Sequence, residues 1–414
     1  MRKFYILLAA VATLVLSAAC SKVVTSAGGS GEQEVSFQVA NYLHRTKANV
    51  AFDTGKTFTT YAWVYGTDSE DGFPLMHPAT IGYKGGVWKA TDRPYYWPKT
   101  GYLNFISHAL TPESWIQGDQ DNEEKTVPEV ENVNGSIVVR YGIHASESNG
   151  QTVEEVNHVT IEEDADPLLA EAAFRYYWQR NPDEDWNEIT DVKYDGKDLK
   201  GVPTLFHHLL SKVTIQVLFD AQDAEEGYNW NLLVNSASFN CANRGQLKVT
   251  FADPGITGTV WPLDEATDPF DPKGVFWIPE LDEGGHALTV TKTLPEPIGS
   301  DYPAKASPKP IVLWNDISVL PQALFSGQAF SFNFTLTSTY NEGNPIVEII
   351  DLPGIPFWNP QAEDEKIPGC FSNTINAWKM GHRYIYTITI KPNAGVKFDP
   401  AAVDWTVEEI DYPI

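Results

Sequence analysis

The chain is poor in cysteine, methionine and basic residues, and each shortage narrows what it can be. Its 414 residues hold three cysteines and three methionines. Beyond Cys20, the two cysteines Cys241 and Cys370 are too few for the dense framework that staples small secreted domains, so stability must come from a packed core. They are read either as one disulfide, which an exporting compartment permits, or as two buried thiols. The 29 lysines and arginines face 55 acidic residues, a formal charge of −26. Such a surface repels phosphate backbones and speaks against nucleic acid as a partner.

Catalytic motifs are missing as well. The sequence has no Gly-x-Ser-x-Gly elbow, His-Glu-x-x-His, phosphate-binding loop or dinucleotide fingerprint. Asp119, Asp121 and Glu123 alternate like the opening of a calcium loop, but Glu124 and Val130 stand where that loop needs glycine and glutamate. A solvated acidic loop is the better reading. Glu162, Glu163, Asp164 and Asp166 are neighbours in sequence, whereas glycoside hydrolysis needs two carboxyls facing across a cleft. His207 and His208, adjacent on a strand, point to opposite faces and do not suit one shared metal; a structural or surface role is expected. No enzyme, metal or cofactor is expected.

Long apolar runs are confined to the first residues. Arg2 and Lys3 precede an apolar stretch from Phe4 to Leu16, too short to span a bilayer and followed by small residues. This is a signal peptide over 1–19. Its end, Leu16-Ser17-Ala18-Ala19-Cys20, resembles the lipobox of bacterial lipoproteins, which makes Cys20 the lipidated residue and ties the precursor to the outer membrane. Residues 20–34, with Gly28, Gly29 and Gly31, read as a flexible tether.

What the chain has in quantity is period-two alternation. VSFQV (35–39), FTTYAWVY (58–65), GYLNFIS (101–107), SIVVRY (136–141), KVTIQVLF (212–219), QLKVTF (246–251), FSFNFTLT (330–337) and YIYTITI (384–390) all carry it. With 30 glycines and 28 prolines for turns, the pattern predicts an all-β protein of antiparallel sandwiches. One segment, DPLLAEAAFRYYWQR (166–180), reads as a short helical excursion with Asp166 as cap and Pro167 as first residue. The polar loop 191–204 is the expected boundary, giving an N-terminal domain over 35–204 and a C-terminal domain over 205–414.

The stretch RPYYWPKTGYLNF (93–105) admits two readings. Exposed Tyr96 and Trp97 would make it a sugar platform; alternation assigns Leu103 and Phe105 to a core. Together with FTTYAWVYG (58–66), FHHLLSKVTIQV (206–217), WKMGHRYIYTITI (378–390) and VKFDPAAVDW (396–405), it resembles the fimbrillin family, lipoprotein-derived subunits of type V pili in Bacteroidales-type bacteria. The resemblance covers most of the mature chain, and it rests on the order of these segments behind the lipobox.

The resemblance implies two tandem transthyretin-like β-sandwiches and a precursor cut after an arginine, which removes the tether and an early strand. Other pilus subunits then join by β-strand addition, and a host or bacterial receptor is a further partner. Between Cys20 and Arg93 the only arginine is Arg45, so the candidate cut lies between Arg45 and Thr46. The alternative is an ordinary surface arginine in a hairpin. At the far end Val403, Trp405 and Val407 alternate, in a strand that either swaps between subunits or closes its own sandwich. The leading expectation is a structural and adhesive pilus subunit at the cell surface. The alternative is a surface glycan-binding lipoprotein that uses exposed aromatics.

Overall fold

The computed structural model describes residues 34–43, 48–66, 72–98, 101–109, 128–133, 135–148, 151–156, 158–176, 201–261, 276–325, 327–359, 371–372, 374–392 and 395–404. Among these residues every regular element is a strand. Phe58–Tyr65 and Ser136–Tyr141 coincide with their alternating runs, while Ser211–Phe219, Ala329–Tyr340 and His382–Lys391 extend theirs. In Ala329–Tyr340 and His382–Lys391 the period-two side chains are sorted between core and solvent, whereas Phe58–Tyr65 and Ser136–Tyr141 are mostly buried on both faces.

In the first part a sheet closes on itself. Leu168–Ala170 pairs with Val202–His208, and the ring continues through Phe37–Leu43, Val87–Ala90, Phe73–Lys84, Phe58–Tyr65 and Tyr102–Ala109. Tyr102–Ala109 then pairs back to Leu168–Ala170. Inside lie Phe37, Phe58, Trp88, Leu103, Phe105 and Phe206, among others. Leu103 and Phe105 thus occupy the core that alternation assigned to them.

A second sheet, of Val159–Thr160, Arg244–Phe251, Ser136–Tyr141 and Glu129–Val133, has Phe276–Pro279 paired to its Arg244–Phe251 strand. Its residues Ile137, Val139, Leu247 and Val249 share a core with Tyr61, Trp63 and Ile106 of the ring strands. Some ring strands are therefore buried on both faces.

The last part is a sandwich. One sheet runs Lys309–Val319, Ser211–Phe219, His382–Lys391, Gly395–Asp404; the other runs Val290–Thr293, Tyr228–Cys241, Ala329–Tyr340, Ile346–Pro356, with Ile298–Pro303 also on Tyr228–Cys241. Between them pack Val213, Ile215, Phe239, Phe332, Trp378 and Tyr386. The two parts are tied at Ser318, whose N–H donates to the Glu163 carbonyl (2.7 Å) and whose hydroxyl donates to the Ala165 carbonyl, while the bond from Ile161 N–H to the Asn243 carbonyl (2.7 Å) continues the Val159–Thr160 ladder. Gln322, wholly buried, accepts from Ala242 N–H at 2.9 Å and donates to the Leu320 carbonyl at 2.8 Å.

Two expectations are corrected. The helical excursion at 166–180 is instead the strands Leu168–Ala170 and Ala172–Tyr176, with 177–180 outside the described residues. Leu168 and Ala170 face the ring interior while Leu169 faces the second core. A strand buried on both sides reads as a continuous apolar run, and alanine's helix propensity yields to that packing. The sheets are also not wholly antiparallel, because Phe37–Leu43 runs parallel to Val202–His208, and Ser211–Phe219 parallel to His382–Lys391.

Of the loop 191–204, only residues from Gly201 onward are described. Val202–His208, Arg244–Phe251, Gly258–Val260 and Phe276–Pro279 all pair with strands of the first part. We keep the division into two domains as a proposal, with the first drawing strands from both sides of residue 204.

Candidate functional site

The N-terminal strand Phe37–Leu43 sits in the wall of the ring, and its neighbours hold it through both backbone and side chains. On one side it runs in parallel register with Val202–His208, from Phe37 opposite Val202 to Asn41 opposite Phe206. On the other side Phe37 faces Trp88, and further along Leu43 to Ala40 pair with Ala48 to Ala51. Val202 N–H donates to the Ser36 carbonyl at 2.7 Å.

The side chains of this segment plug the ring. Val35 and Phe37 are buried, and the Phe37 ring meets Phe58 and Phe105 edge-on, each at 5.9 Å. Edge-to-face packing of this kind adds to the area term. Gly201 explains how the neighbouring chain comes so near: with φ at +148°, a Cβ placed there would lie 2.7 Å from the Phe37 carbonyl carbon. From sequence alone Gly201 falls in the polar boundary loop 191–204. Its pairing partner is non-local, and only the fold reveals that the glycine makes room for a passing strand.

The stretch beginning RPYYWP belongs to the same device. Val35 N–H donates to the Tyr95 carbonyl at 2.8 Å, Glu34 bridges to Tyr96, and Lys89 pairs with Glu34 at 3.0 Å. Tyr95 is buried beside Val35 and Phe37, and its hydroxyl donates to Asp92 at 3.2 Å. Trp97 is partly buried, with its ring 6.0 Å from Phe105, and Tyr96 alone of the three is exposed. The aromatic segment is a seam along the N-terminal strand.

Arg45 and Thr46 lie outside the described residues, in the link between two strands whose last described pair is Leu43 with Ala48. Cys20, Cys370, Asp119, Asp121 and Glu123 also lie outside them. Cys241 is a buried free thiol, and burial pushes its pKa up to about 12, which keeps it protonated and unreactive. Among the described residues no three histidine, cysteine or acidic side chains gather to hold a metal.

The remaining titratable candidates are structural. His208 Nδ1 is 2.6 Å from Asp166, and His207 Nε2 is 3.2 Å from Glu171 while its ring stacks on Trp261 at 4.0 Å. Both histidines are buried, so a surface role for them is ruled out. Burial opposes the Asp166 charge, yet His208, Lys212 and Lys56 together draw its carboxyl below the usual range. Glu163 pairs with Lys292 at 2.8 Å. His108, which sequence reading passed over, is buried in the wall two pairings from His207, and burial lowers its pKa to about 4.

No family model and no curated protein sequence matches the chain. Solved structures similar to it include a fimbrial protein from Bacteroides vulgatus ATCC 8482, with 12% identity, a TM-score of 0.45, and coverage of 90% of this chain and 99% of that one. The tip fimbrial protein Mfa3 from Porphyromonas gingivalis, truncated at its C-terminus, is 10% identical at a TM-score of 0.29, covering 90% of this chain and 100% of that one. The fimbrial anchor protein Mfa2 from the same organism is 11% identical at 0.26, with coverages of 90% and 98%. These alignments are loose, and this chain's own strands carry the functional argument.

Proposed function

We propose that the chain is a structural and adhesive fimbrial subunit, exported as a lipoprotein on Cys20 and matured by cleavage between Arg45 and Thr46. One observation carries this reading. The strand that ends just before Arg45 occupies a place in a closed ring, so a single cut detaches lipid, tether and strand together. Its departure leaves a slot lined by Phe58, Trp88, Tyr95, Phe105 and Phe206 and edged by unpaired backbone of Val202–His208. Burying a valine and a phenylalanine there is worth about 1.5–3 kcal/mol each, so the empty slot favours a replacement strand.

The replacement has a stated pattern. Val35, Phe37 and Val39 alternate as small, aromatic, small, and Val403, Trp405 and Val407 repeat that order near the C-terminus. Gly395–Asp404 pairs with His382–Lys391 as the edge strand of its own sheet, so donation means that the end of this strand leaves one subunit for the next. Partners are other subunits by strand addition and, for adhesion, a host or bacterial surface receptor. The mature protein belongs to a fimbrium at the cell surface, and catalysis has no part in the proposal.

A glycan-binding surface presents two or three coplanar exposed rings. Tyr96 is exposed while Tyr95 is buried and Trp97 packs on Phe105, which favours the pilus reading.

Arginine-specific digestion of the purified precursor tests the proposal, with an Arg45→Ala chain as control. The cut chain is expected to release the peptide ending at Arg45 and to take up a synthetic peptide of residues 401–414 or assemble with itself. A cut chain that keeps the released peptide, takes up no donor and gains no assembly beyond that of the uncut Arg45→Ala chain would overturn it.

A further inference from the structure

The most exposed large apolar side chains of the C-terminal sandwich lie together on one free edge. In Ile346–Pro356, Ile346 is 60% exposed, Val347 56% and Ile349 71%. This strand pairs with Ala329–Tyr340 on one side and, among the described residues, with no strand on the other. Edge strands of soluble proteins are usually blunted by lysine, proline or a bulge. The stretch IVEIIDL (346–352) has no lysine, proline or bulge, and its only charges are Glu348 and Asp351.

Its geometry suits self-pairing. The register with Ala329–Tyr340 is unbroken from Ile346 opposite Ser338 to Leu352 opposite Phe332. At one end Pro353 and Gly354 break the ladder, where Gly354 has φ of +66° and the register shifts; at the other end Asn341 and Glu342 turn the chain at positive φ. The regular stretch therefore has seven residues, and its midpoint is Ile349. A two-fold axis through Ile349 pairs the whole stretch with a second copy.

Other registers are worse for stated reasons. Centred on Ile349, Ile346 faces Leu352, Val347 faces Asp351, and Glu348 faces Ile350, so no carboxylate meets another. Centring on Glu348 sets that carboxylate opposite itself, and centring on Ile350 brings Pro353 into the ladder. Like charges directly opposite destabilise a pair, and proline cannot donate. On the outer face the row Ile349, Thr335, Leu233, Gly299 would continue across the axis into its copy.

We infer that this edge is an interface between two copies of the chain, joined antiparallel through Ile346–Leu352 about Ile349. It goes beyond the fimbrial reading and requires no cleavage, so it is tested on the uncut chain. With −26 formal charges per copy, association strengthens as salt screens the repulsion.

Sedimentation velocity of the uncut chain in low and high salt is the experiment. A dimer that tightens with salt is expected, weakened at least ~tenfold by Ile349→Lys, which sets two ammonium groups opposite each other. Val347→Lys faces Asp351 and is expected to keep the dimer. On oxidation, Ile349→Cys should cross-link two chains above the parent level, since directly opposed residues lie within disulfide reach, and Val347→Cys should not. A chain that is monomeric at every salt concentration, or equal effects at Val347 and Ile349, would overturn the inference.

Discussion

At the residue scale, Gly201 and His108 make the strongest demands. Gly201 lies where any side chain would strike the Phe37 backbone, in a conformation that L-residues rarely adopt. Gly201→Ala is expected to cost the precursor about 1–3 kcal/mol, read as a lowered urea midpoint. Removal of residues 34–45 relieves the clash but leaves the backbone strain, so the penalty shrinks after cleavage. His108 is neutral in the fold, with its pKa lowered to about 4 by burial. Its unfolded form binds a proton near pH 6.5, so its contribution is fully present above that pH and is lost as pH falls toward 4. On the order of 3 kcal/mol rides on this one group. Urea midpoints should fall from pH 7 to pH 5, and His108→Phe should flatten the slope.

At the element scale, the N-terminal strand is packed into the wall of the ring, and the proposed cleavage would make it a removable part. Phe37→Ala leaves a hole among Phe58, Phe105 and Val35 and is expected to cost the precursor about 3–5 kcal/mol. If maturation removes the strand, the same substitution leaves the mature chain's melting temperature unchanged. That contrast separates a permanent core residue from a temporary one. Strands such as Ala329–Tyr340 and His382–Lys391 were legible because burial alternates along nearly their whole length. Leu168–Ala170 was not, because both its faces are buried and no alternation survives to mark a strand. The parallel pairing of Phe37–Leu43 with Val202–His208 was equally hidden, since partners about 165 positions apart leave no local signal.

At the scale of the whole molecule, Ser318 joins the sandwich to the first part, its N–H donating to the Glu163 carbonyl and its hydroxyl to the Ala165 carbonyl. The seam of Tyr95 and Tyr96 along the N-terminal strand shows why an aromatic stretch resembling a ligand platform belongs to the candidate site by a different route. Its place there was invisible until the strand it borders was known. Exchange of the N-terminal strand is tested by N-terminal sequencing of the protein in fibres sheared from the producing cell. Exchange gives a chain beginning at Thr46. A fibre subunit that still begins at lipidated Cys20 would contradict it.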